Sequence, residues 1–319
     1  MESFANKIAV VTGGGTGMGR ELVCQLIAAG AHVAMCDVSQ ENMDETRRLA
    51  NAGEQRLTDH LCDVSNEAQM LAFRDEVMAQ HQTTYINLLF NNAGIGGGGS
   101  FVEGDRDEWE RTYAVCWEGV YFGCRAFLDA IVASDEGHIV NTSSVNGFWA
   151  SLGTTRAHTA YAAAKFAVKG FTEALITDLR LHAPHVQCSV VMPGHIGTSI
   201  MENSSKVLGR PWGMDLPDEE VAVVRQRMLA AGLPVDNVPD DHIRQMLADR
   251  AEAFRTKAPT TAGEAANVIL EAVRNKQWRV LIGQDAHDLD RLVREAPAEA
   301  YEKSMIEKIN ALNHLGALI

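Results

Sequence analysis

Short apolar runs alternate with longer segments of helical periodicity along the first two hundred residues of the chain. Several runs are apolar on both faces, as in Leu88–Phe90 and Val190–Met192, which is typical of parallel strands covered by helices on both sides. The predicted strands are residues 8–11, 32–36, 56–62, 86–90, 138–143 and 186–192. The predicted helices are residues 21–29, 41–52, 67–80, 108–133 and 161–181.

The pattern of apolar and polar residues changes after the sixth predicted strand. Residues 194–260 hold five of the eight prolines, with polar turns and two short helical stretches. We interpret this segment as an insertion beside a ligand site and not as a separate domain. A helix (262–275) and a strand (278–282) then resume the alternation. The pattern predicts an α/β fold, with one domain over residues 1–319, a doubly wound parallel sheet carrying helices on both faces, and a C-terminal extension (285–319).

Composition narrows the classes of partner. The 319 residues carry a net charge of −14, which argues against a nucleic-acid or anionic membrane surface. The six cysteines are scattered without a C-x-x-C pair and are interpreted as reduced core residues, which fits the cytoplasm. No signal region or apolar run of about 18 residues is present. We expect no membrane partner and no metal site, because no metal-binding motif is found.

A glycine cluster, Thr12–Gly19, lies between the first strand and the first helix. Glycines there let the backbone approach a pyrophosphate, and the helix N-terminus supplies free N–H groups and a favourable dipole. The placement at a strand-to-helix junction predicts a dinucleotide site in a Rossmann-type sheet. The alternative is a tight turn that binds no ligand.

Two acidic residues follow the next strands. Asp37 lies 18 residues after Gly19, where a carboxylate can accept hydrogen bonds from a ribose 2′-hydroxyl and would repel a 2′-phosphate. No arginine or lysine follows it closely, so we expect NAD and not NADP. Asp37 could instead cap the next helix. Asp63 could bond the adenine amino group, or serve a turn or cap.

Five motifs occur in the order of a known family, over residues 6 to about 200. They are T-G-x-x-x-G-x-G over Thr12–Gly19, N-N-A-G over Asn91–Gly94, a strand with serines over Ile139–Ser144, Y-x-x-x-K over Tyr161–Lys165, and a sequence similar to P-G-x-V-x-T over Pro193–Thr198. Each is weak alone, and together they are specific. The chain therefore resembles the short-chain dehydrogenases/reductases, more loosely as far as residue 283. The resemblance implies hydride transfer between a nicotinamide cofactor and an alcohol or ketone.

The predicted catalytic residues are Ser144, Tyr161 and Lys165. Tyr161 and Lys165 are four residues apart and share one helix face. A free tyrosine has a pKa of about 10, and a nearby ammonium and the positive nicotinamide ring should lower it. Tyr161 can then take the alcohol proton while Ser144 bonds the substrate oxygen. Ser143 is the alternative serine, since the loop Gly147–Thr159 is longer than usual in the family.

The resemblance also supplies the predicted cofactor contacts. Asn92 would line the adenosine ribose, Ile196 would offer its backbone to the nicotinamide carboxamide, and Thr198 would offer its hydroxyl to the carboxamide or phosphate. The full predicted set is Gly13, Gly15, Thr16, Gly17, Met18, Gly19, Asp37, Val38, Asp63, Val64, Asn92, Ala93, Gly94, Tyr161, Lys165, Pro193, Gly194, Ile196 and Thr198.

One position departs from the family pattern. Cys116 stands where the family usually has an asparagine, thought to hold a water in a proton relay from the lysine. A thiol is a poor substitute for an amide. Three interpretations are open: a small core residue, a slower relay by another path, or a special thiol role, for which nothing nearby in sequence argues.

Substrate contacts should come from loops beyond the carboxyl ends of the strands. The candidates are Asn146, Phe148, Trp149, His195 and Met201. Their apolar and aromatic character suits a bulky apolar or aromatic secondary alcohol or ketone. The alternative is that the aromatic residues only pack the insertion against the sheet.

The leading hypothesis is an NAD-dependent alcohol dehydrogenase or ketone reductase that acts on a small molecule. A cofactor-binding regulatory module with weak or no catalysis is a second hypothesis, and an epimerase or dehydratase of the same family is a third. The resemblance further implies a homodimer or homotetramer.

Overall fold

The computed structural model of the protein describes residues 1–151, 157–230 and 232–312. The strands in these ranges are β1 Ile8–Thr12, β2 His32–Asp37, β3 Leu57–Leu61, β4 Leu88–Asn91, β5 Gly137–Thr142, β6 Val186–Pro193, β7 Ile196–Gly197, β8 Thr260–Thr261 and β9 Arg279–Ile282. The helices are α1 Gly17–Ala28, α2 Gln40–Ala50, α3 Glu67–His81, α4 Arg106–Tyr113, α5 Gly119–Val132, α6 Thr159–His182, α7 Ile200–Val207, α8 Asp218–Ala230, α9 Asp240–Thr256, α10 Ala262–Arg274, α11 Gln284–Glu295 and α12 Lys303–Asn310.

Seven parallel strands form the main sheet in the order β3-β2-β1-β4-β5-β6-β9. The order reverses direction between β1 and β4, whose registers pair Val10 with Leu89. The loops after these two strands therefore diverge to opposite sides and leave a crevice at their carboxyl ends. This topology confirms the predicted doubly wound sheet.

Helices cover both faces of the sheet and bury its apolar strands. On one face Phe73 of α3 and Phe127 of α5 pack against strand residues such as Leu89. On the other, Leu22 of α1 and Ile269 of α10 complete a second core. The central strands β1 and β4 are buried along their whole length, which explains why their sequences are almost entirely apolar.

Two elements differ from the sequence-based prediction. The stretch predicted as one helix over 108–133 is interrupted by a π-helical turn, Ala114–Glu118, between α4 and α5. Such turns are often found at functional sites. The insertion (194–260) contains three helices, α7 to α9, where two were predicted, because the strong turn residues between them masked their periodicity.

The C-terminal extension folds into α11 and α12, joined by a 3-10 turn at Pro297–Glu299. Part of the predicted bulge between Gly147 and Thr159, namely residues 152–156, lies outside the described residues, as do residues 313–319. Within the described ranges no helix has the length and apolar character needed to span a membrane. The same ranges contain no group of three His, Cys, Asp or Glu side chains that could hold a metal ion.

Candidate active site

The predicted catalytic side chains come together just after the carboxyl end of β5 and in the first turns of α6. Lys165 is buried, and its Nζ lies 5.4 Å from the centre of the Tyr161 ring. The Lys165 Nζ donates a hydrogen bond to the Thr142 carbonyl at 2.8 Å. The Ser144 side chain hydrogen-bonds the Tyr161 side chain. One serine, one tyrosine and one lysine thus form a connected group at the carboxyl edge of the sheet.

The neighbouring serine has a different partner. Ser143 donates its hydroxyl to the Lys165 carbonyl at 2.7 Å, within the first turns of α6. Gly147 lies against this contact, since a Cβ there would come within 2.2 Å of the Ser143 Oγ. Ser143 therefore ties β5 to the helix that carries Tyr161, while Ser144 is the serine that reaches the phenol.

The electrostatics of this group differ from the sequence-based expectation. Burial raises the pKa of Tyr161, and the nearby Cys116 adds to the rise, while the Ser144 hydrogen bond works against it. Burial also lowers the pKa of Lys165. Desolvation of the phenolate thus outweighs the help that the lysine was expected to give. Burial therefore raises the pKa of Tyr161, the opposite of the direction expected from the sequence.

Cys116 lies beside this group in the π-helical turn. It is fully buried, and its Sγ donates to the Ile95 carbonyl at 3.1 Å. A Cβ on Gly94 would lie 3.4 Å from the Lys165 Nζ and 3.8 Å from the Cys116 Sγ, so the thiol and the ammonium face the same small space. The thiol satisfies a backbone carbonyl, as expected of a buried core residue.

The glycine cluster forms a close turn over β2. Gly13 and Gly17 have φ values of +66° and +54°, in the left-handed region that favours glycine. A Cβ on Gly19 would approach the Gly13 carbonyl oxygen to 2.0 Å, so no larger residue fits there. The Thr16 hydroxyl accepts a hydrogen bond from Asn203 Nδ2 at 3.0 Å and, in the described part of the chain, does not cap α1. The first N–H groups of α1 therefore lack a side-chain cap at Thr16, as an anion site requires.

Asp37 lies at the end of β2 directly below this turn. Its Oδ2 accepts from the Gly15 N–H at 3.0 Å, and its Oδ1 accepts from the Ser39 N–H at 3.1 Å. Burial raises the pKa of Asp37, and these N–H groups oppose the rise. Arg20 approaches the same turn but donates to the Gly15 carbonyl at 3.0 Å through its Nε. Each carboxylate oxygen keeps a lone pair for a further donor.

Asp63 makes contacts of its own at the end of β3. Its Oδ2 lies 2.7 Å from Arg111, and its Oδ1 accepts from the Ser65 backbone N–H at 3.0 Å. Burial works against ionisation, yet the Arg111 and Ser65 contacts hold the pKa of Asp63 below its usual value. The side chain shapes the turn before α3, and its predicted adenine contact stays a prediction. Val64, next to it, packs against Gly119, where a Cβ would come within 2.7 Å.

The segment after β4 offers an unsatisfied polar atom to the crevice. Thr12 Oγ1 accepts from the N–H groups of Asn92 and Ala93 at 3.0 and 3.1 Å. Asn92 Nδ2 donates to the Thr12 carbonyl at 3.1 Å, while its buried Oδ1 has no hydrogen-bond partner among the described residues. A buried orphan acceptor beside a glycine-rich turn fits a ligand hydroxyl. The Asn92 Oδ1 is therefore suited to accept a hydrogen bond from a hydroxyl of a nucleoside ribose.

The loop after β6 closes the other side of the crevice. Gly194, which follows Pro193, donates its N–H to the Ile282 carbonyl at 2.9 Å, and Ile196 pairs with Thr260 in the small β7–β8 sheet. Thr198 reaches the glycine turn, since a Cβ on Gly17 would lie 3.1 Å from its Cγ2. The predicted cofactor segments around β1, β4 and β6 therefore line one crevice. Of the other predicted cofactor residues, Met18 is partly buried in α1 and Val38 is exposed.

The predicted substrate residues divide into two groups. Trp149 and Asn146 are buried, and the Asn146 Nδ2 donates to the Trp149 carbonyl at 2.9 Å. His195 is also buried, donating from Nε2 to the Phe254 carbonyl at 2.8 Å. These hydrogen bonds lie inside the protein, while the buried His195 Nδ1 has no hydrogen-bond partner among the described residues. Direct substrate contact at these three residues stays a prediction. Phe148 packs beside the Trp149 cluster at its partly buried edge.

Met201 lies on α7 and lines a cavity of about 280 Å³ between α7 and α9. Trp212 and Met214 line the same cavity, with Glu252 and Arg255 on α9. Ser204, about one turn after Met201 on α7, accepts from the Gly96 N–H at 2.8 Å. Thr198, a predicted cofactor residue, lines the same cavity as Met201.

Comparison with known proteins agrees with the fold. The family model for short chain dehydrogenases matches residues 7–208. The chain belongs to the short-chain dehydrogenase/reductase family. A putative oxidoreductase, SadH, of Mycobacterium tuberculosis is 34% identical over 296 residues, covering 92% of both chains. Epidermal retinol dehydrogenase 2 of Mus musculus is 32% identical over 224 residues, 70% of each chain.

Solved structures of the family carry either dinucleotide. A short-chain dehydrogenase/reductase from Burkholderia phymatum in complex with NAD has a TM-score of 0.71 at 27% identity, covering 93% of this chain and 96% of that one. A metagenomic short-chain oxidoreductase in complex with NADP has a TM-score of 0.53 at 32% identity, covering 60% and 84%. Family members similar to this chain thus bind NAD or NADP.

One residue that positions this family site was not predicted from the sequence. Asp285, at the start of α11, is buried and accepts from the His195 N–H through Oδ2 at 2.6 Å. A Cβ on Gly194 would come within 2.2 Å of that oxygen, so the close approach requires glycine. The two partners are 90 residues apart and share no local pattern. The one available signal was an aspartate at a helix start, which is ordinary in any sequence.

Proposed function

We propose that the protein is an NAD-dependent oxidoreductase that transfers hydride between nicotinamide and a secondary alcohol or ketone. The observation that carries this proposal is the connected group of Ser144, Tyr161 and Lys165 beside the glycine-lined crevice. A bulky apolar or aromatic substrate fits the expectation from the loops, and the retinol dehydrogenase relative acts on a compound of that kind by its name.

Each residue of the group has a distinct task. The nicotinamide, when bound, supplies the hydride acceptor or donor and a positive charge in its oxidised form. The Ser144 and Tyr161 hydroxyls hold the substrate oxygen, since each can donate a hydrogen bond to the charge that develops there. Tyr161 exchanges the proton with that oxygen as general base or acid. The Lys165 ammonium stabilises the phenolate electrostatically at a distance set by the Thr142 carbonyl.

Preference for NAD rests on Asp37. Its carboxylate lies under the glycine turn with spare acceptor capacity, which suits two ribose hydroxyls and opposes a 2′-phosphate. Arg20, the cation beside it, is held by the Gly15 carbonyl and by Thr46 through its Nε. A 2′-phosphate would therefore meet a negative charge before a free positive one.

The same proposal includes the cellular compartment and the oligomeric state of the enzyme. All six cysteines are free thiols, as a reducing cytoplasm would keep them. We further expect a homodimer or homotetramer, which light scattering coupled to size-exclusion chromatography measures directly.

The test is initial-rate turnover followed by NADH absorbance. The protein is given NAD or NADP with secondary alcohols from small aliphatic to bulky aromatic and steroid-like compounds. Tyr161→Phe should abolish turnover, whereas the matched variant Tyr85→Phe, on an exposed residue before β4, should not. Turnover only with NADP would refute the cofactor assignment. Tight NADH binding without turnover across the panel would favour a regulatory module, and substrate conversion without net change in NAD would favour an epimerase or dehydratase.

A further inference from the structure

The C-terminal extension packs against the segment that follows Ser144. We call residues 145–151 the serine loop, because they continue directly from that residue. One apolar cluster joins the serine loop to α11 and α12, with buried members Val145, Trp149, Ala286, Leu289, Ala300, Met305, Ile306 and Ile309. Leu281 of β9 packs against the same cluster, so the serine loop and the extension are buried together beside the sheet.

Two hydrogen bonds fix this contact in one register. The Trp149 indole Nε1 donates to the Ala300 carbonyl at 2.7 Å, deep in the cluster. The Ala150 N–H donates to the Tyr301 hydroxyl at 3.1 Å nearer the surface. Apolar contact alone would tolerate sliding, whereas two directional bonds from adjacent loop residues to adjacent extension residues do not.

Hydrogen bonds within the serine loop connect Trp149 to Ser144. The Asn146 amide donates from Nδ2 to the carbonyls of Trp149 and Ser151, both at 2.9 Å. The Asn146 backbone N–H in turn donates to the Ser144 Oγ at 3.1 Å. An unbroken series of bonds therefore runs from the extension through Trp149 and Asn146 to the hydroxyl that contacts Tyr161.

We propose that Trp149 and Tyr301 are positioning residues, through which the C-terminal extension holds the Ser144 hydroxyl in place for the reaction. This inference rests on the proposed function, in which Ser144 bonds the substrate oxygen. The serine loop contains only one short 3-10 turn, Val145–Gly147, and has little regular structure of its own to hold the serine. Displacement of a catalytic group by about 1 Å can cost about a hundredfold in rate, so an external anchor has catalytic value.

The experiment compares Trp149→Phe with the matched variant Trp278→Phe. Trp278 is 43% exposed and lies just before β9, at the edge of the sheet opposite the site. Trp149→Phe removes the indole N–H and leaves the Ala300 carbonyl unpaired, and we expect kcat to fall by about tenfold or more. The dissociation constant for NADH should change by less than about twofold, because the Trp149 indole bonds Ala300 and not a predicted cofactor residue. Trp278→Phe should change neither.

The variant Tyr301→Phe tests the same contact at a residue where a folding defect is not expected. Tyr301 is 60% exposed, so loss of its hydroxyl should leave the fold intact and lower kcat by roughly two- to fivefold. If the extension acts through the serine, Trp149→Phe should have little additional effect in a Ser144→Ala background. Additive losses in the double variant would overturn the proposal, as would a Trp149→Phe enzyme with unchanged kcat.

Hydrogen exchange of residues 145–151 separates this inference from the proposed function. We expect faster exchange in Trp149→Phe than in Trp278→Phe, whatever the substrate. A wild-type protein that turns over no alcohol overturns the proposed function, and exchange then decides the anchoring by itself. Unchanged exchange in the serine loop would refute the anchoring even in an active enzyme.

Discussion

Asp37 is the residue on which the choice of dinucleotide depends, and Asp37→Asn changes one charge with little change in shape. The carboxylate lies under the glycine turn and accepts the Gly15 and Ser39 N–H groups at 3.0 and 3.1 Å. The asparagine amide has one acceptor oxygen, so one of those N–H groups loses its partner at a cost of about 1 kcal/mol. That cost applies equally with either dinucleotide, and it cancels in the ratio of their affinities.

The loss of the Asp37 charge affects the affinities for the two dinucleotides differently. Two unit charges about 5 Å apart at an effective dielectric constant of about 20 interact by about 3 kcal/mol, so relief of repulsion should tighten NADP binding by about a hundredfold. Replacing an ionised acceptor by a neutral one should weaken NAD binding by roughly fivefold to tenfold. The ratio of kcat/KM for NAD to that for NADP should therefore fall by two to three orders of magnitude.

The assay measures kcat/KM with both dinucleotides at neutral pH and low ionic strength, where charge effects are largest. Asp129→Asn, an exposed substitution on α5, is the matched control for net charge and should leave the ratio unchanged. An Asp37→Asn ratio within about threefold of the wild-type ratio would contradict this role of Asp37. A wild-type enzyme that already prefers NADP would contradict it as well.

Three further predictions concern buried residues. Cys116→Ala should lower the free energy of unfolding by about 1–2 kcal/mol, because it opens a small cavity and leaves the Ile95 carbonyl unpaired, with kcat little changed. Denaturant titration measures the first quantity, and a large loss of kcat at unchanged stability would place the thiol in proton transfer instead. Asp285→Ala should raise the KM for the dinucleotide several-fold with a smaller effect on kcat, because the His195 N–H, next to Ile196, loses its acceptor; an unchanged KM would contradict this role. Burial, aided by the N-terminal amine and Lys276, lowers the pKa of His138 to about 3. The folded protein leaves this imidazole neutral while the unfolded chain protonates it below a pH of about 6.5, so stability is lost as the pH falls, by about 2 kcal/mol at a pH of about 5. In urea titrations at both pH values His138→Asn should lose about 2 kcal/mol less than wild type, and an identical pH dependence would exclude this cause.

Local sequence patterns were sufficient to predict most strands of the sheet and the positions of the motifs. The strand over Leu88–Asn91 and the glycine turn after β1 were predictable because a buried parallel strand and a pyrophosphate turn each impose a local residue pattern. The interruption of the helix at Ala114–Glu118 was not predictable, since apolar periodicity of 3.6 continues through it. The extra helix in the insertion was missed for the opposite reason, that turn residues outweighed its weak periodicity.

At the site, too, some features were predictable from the sequence and others required the structure. Tyr161 and Lys165 are four residues apart on one helix, so their proximity follows from helical geometry alone. The choice between Ser143 and Ser144 required the structure, because these adjacent residues follow β5 and bond different partners, and only the packing of α6 decides which of them meets the tyrosine. The rise in the Tyr161 pKa likewise depends on burial, which no spacing in the sequence reports.

By itself, the sequence determined the family, the order of elements and the residue types that carry the chemistry, because these depend on patterns within a few turns or strands. Tertiary structure alone decided which groups Trp149 and His195 bond. Both were candidates for substrate contact, yet one bonds Ala300 and the other Phe254, at separations of 151 and 59 residues. Whether a loop side chain faces a ligand or a distant helix is settled by which surfaces remain to be buried once the sheet has formed, and that competition has no local signature.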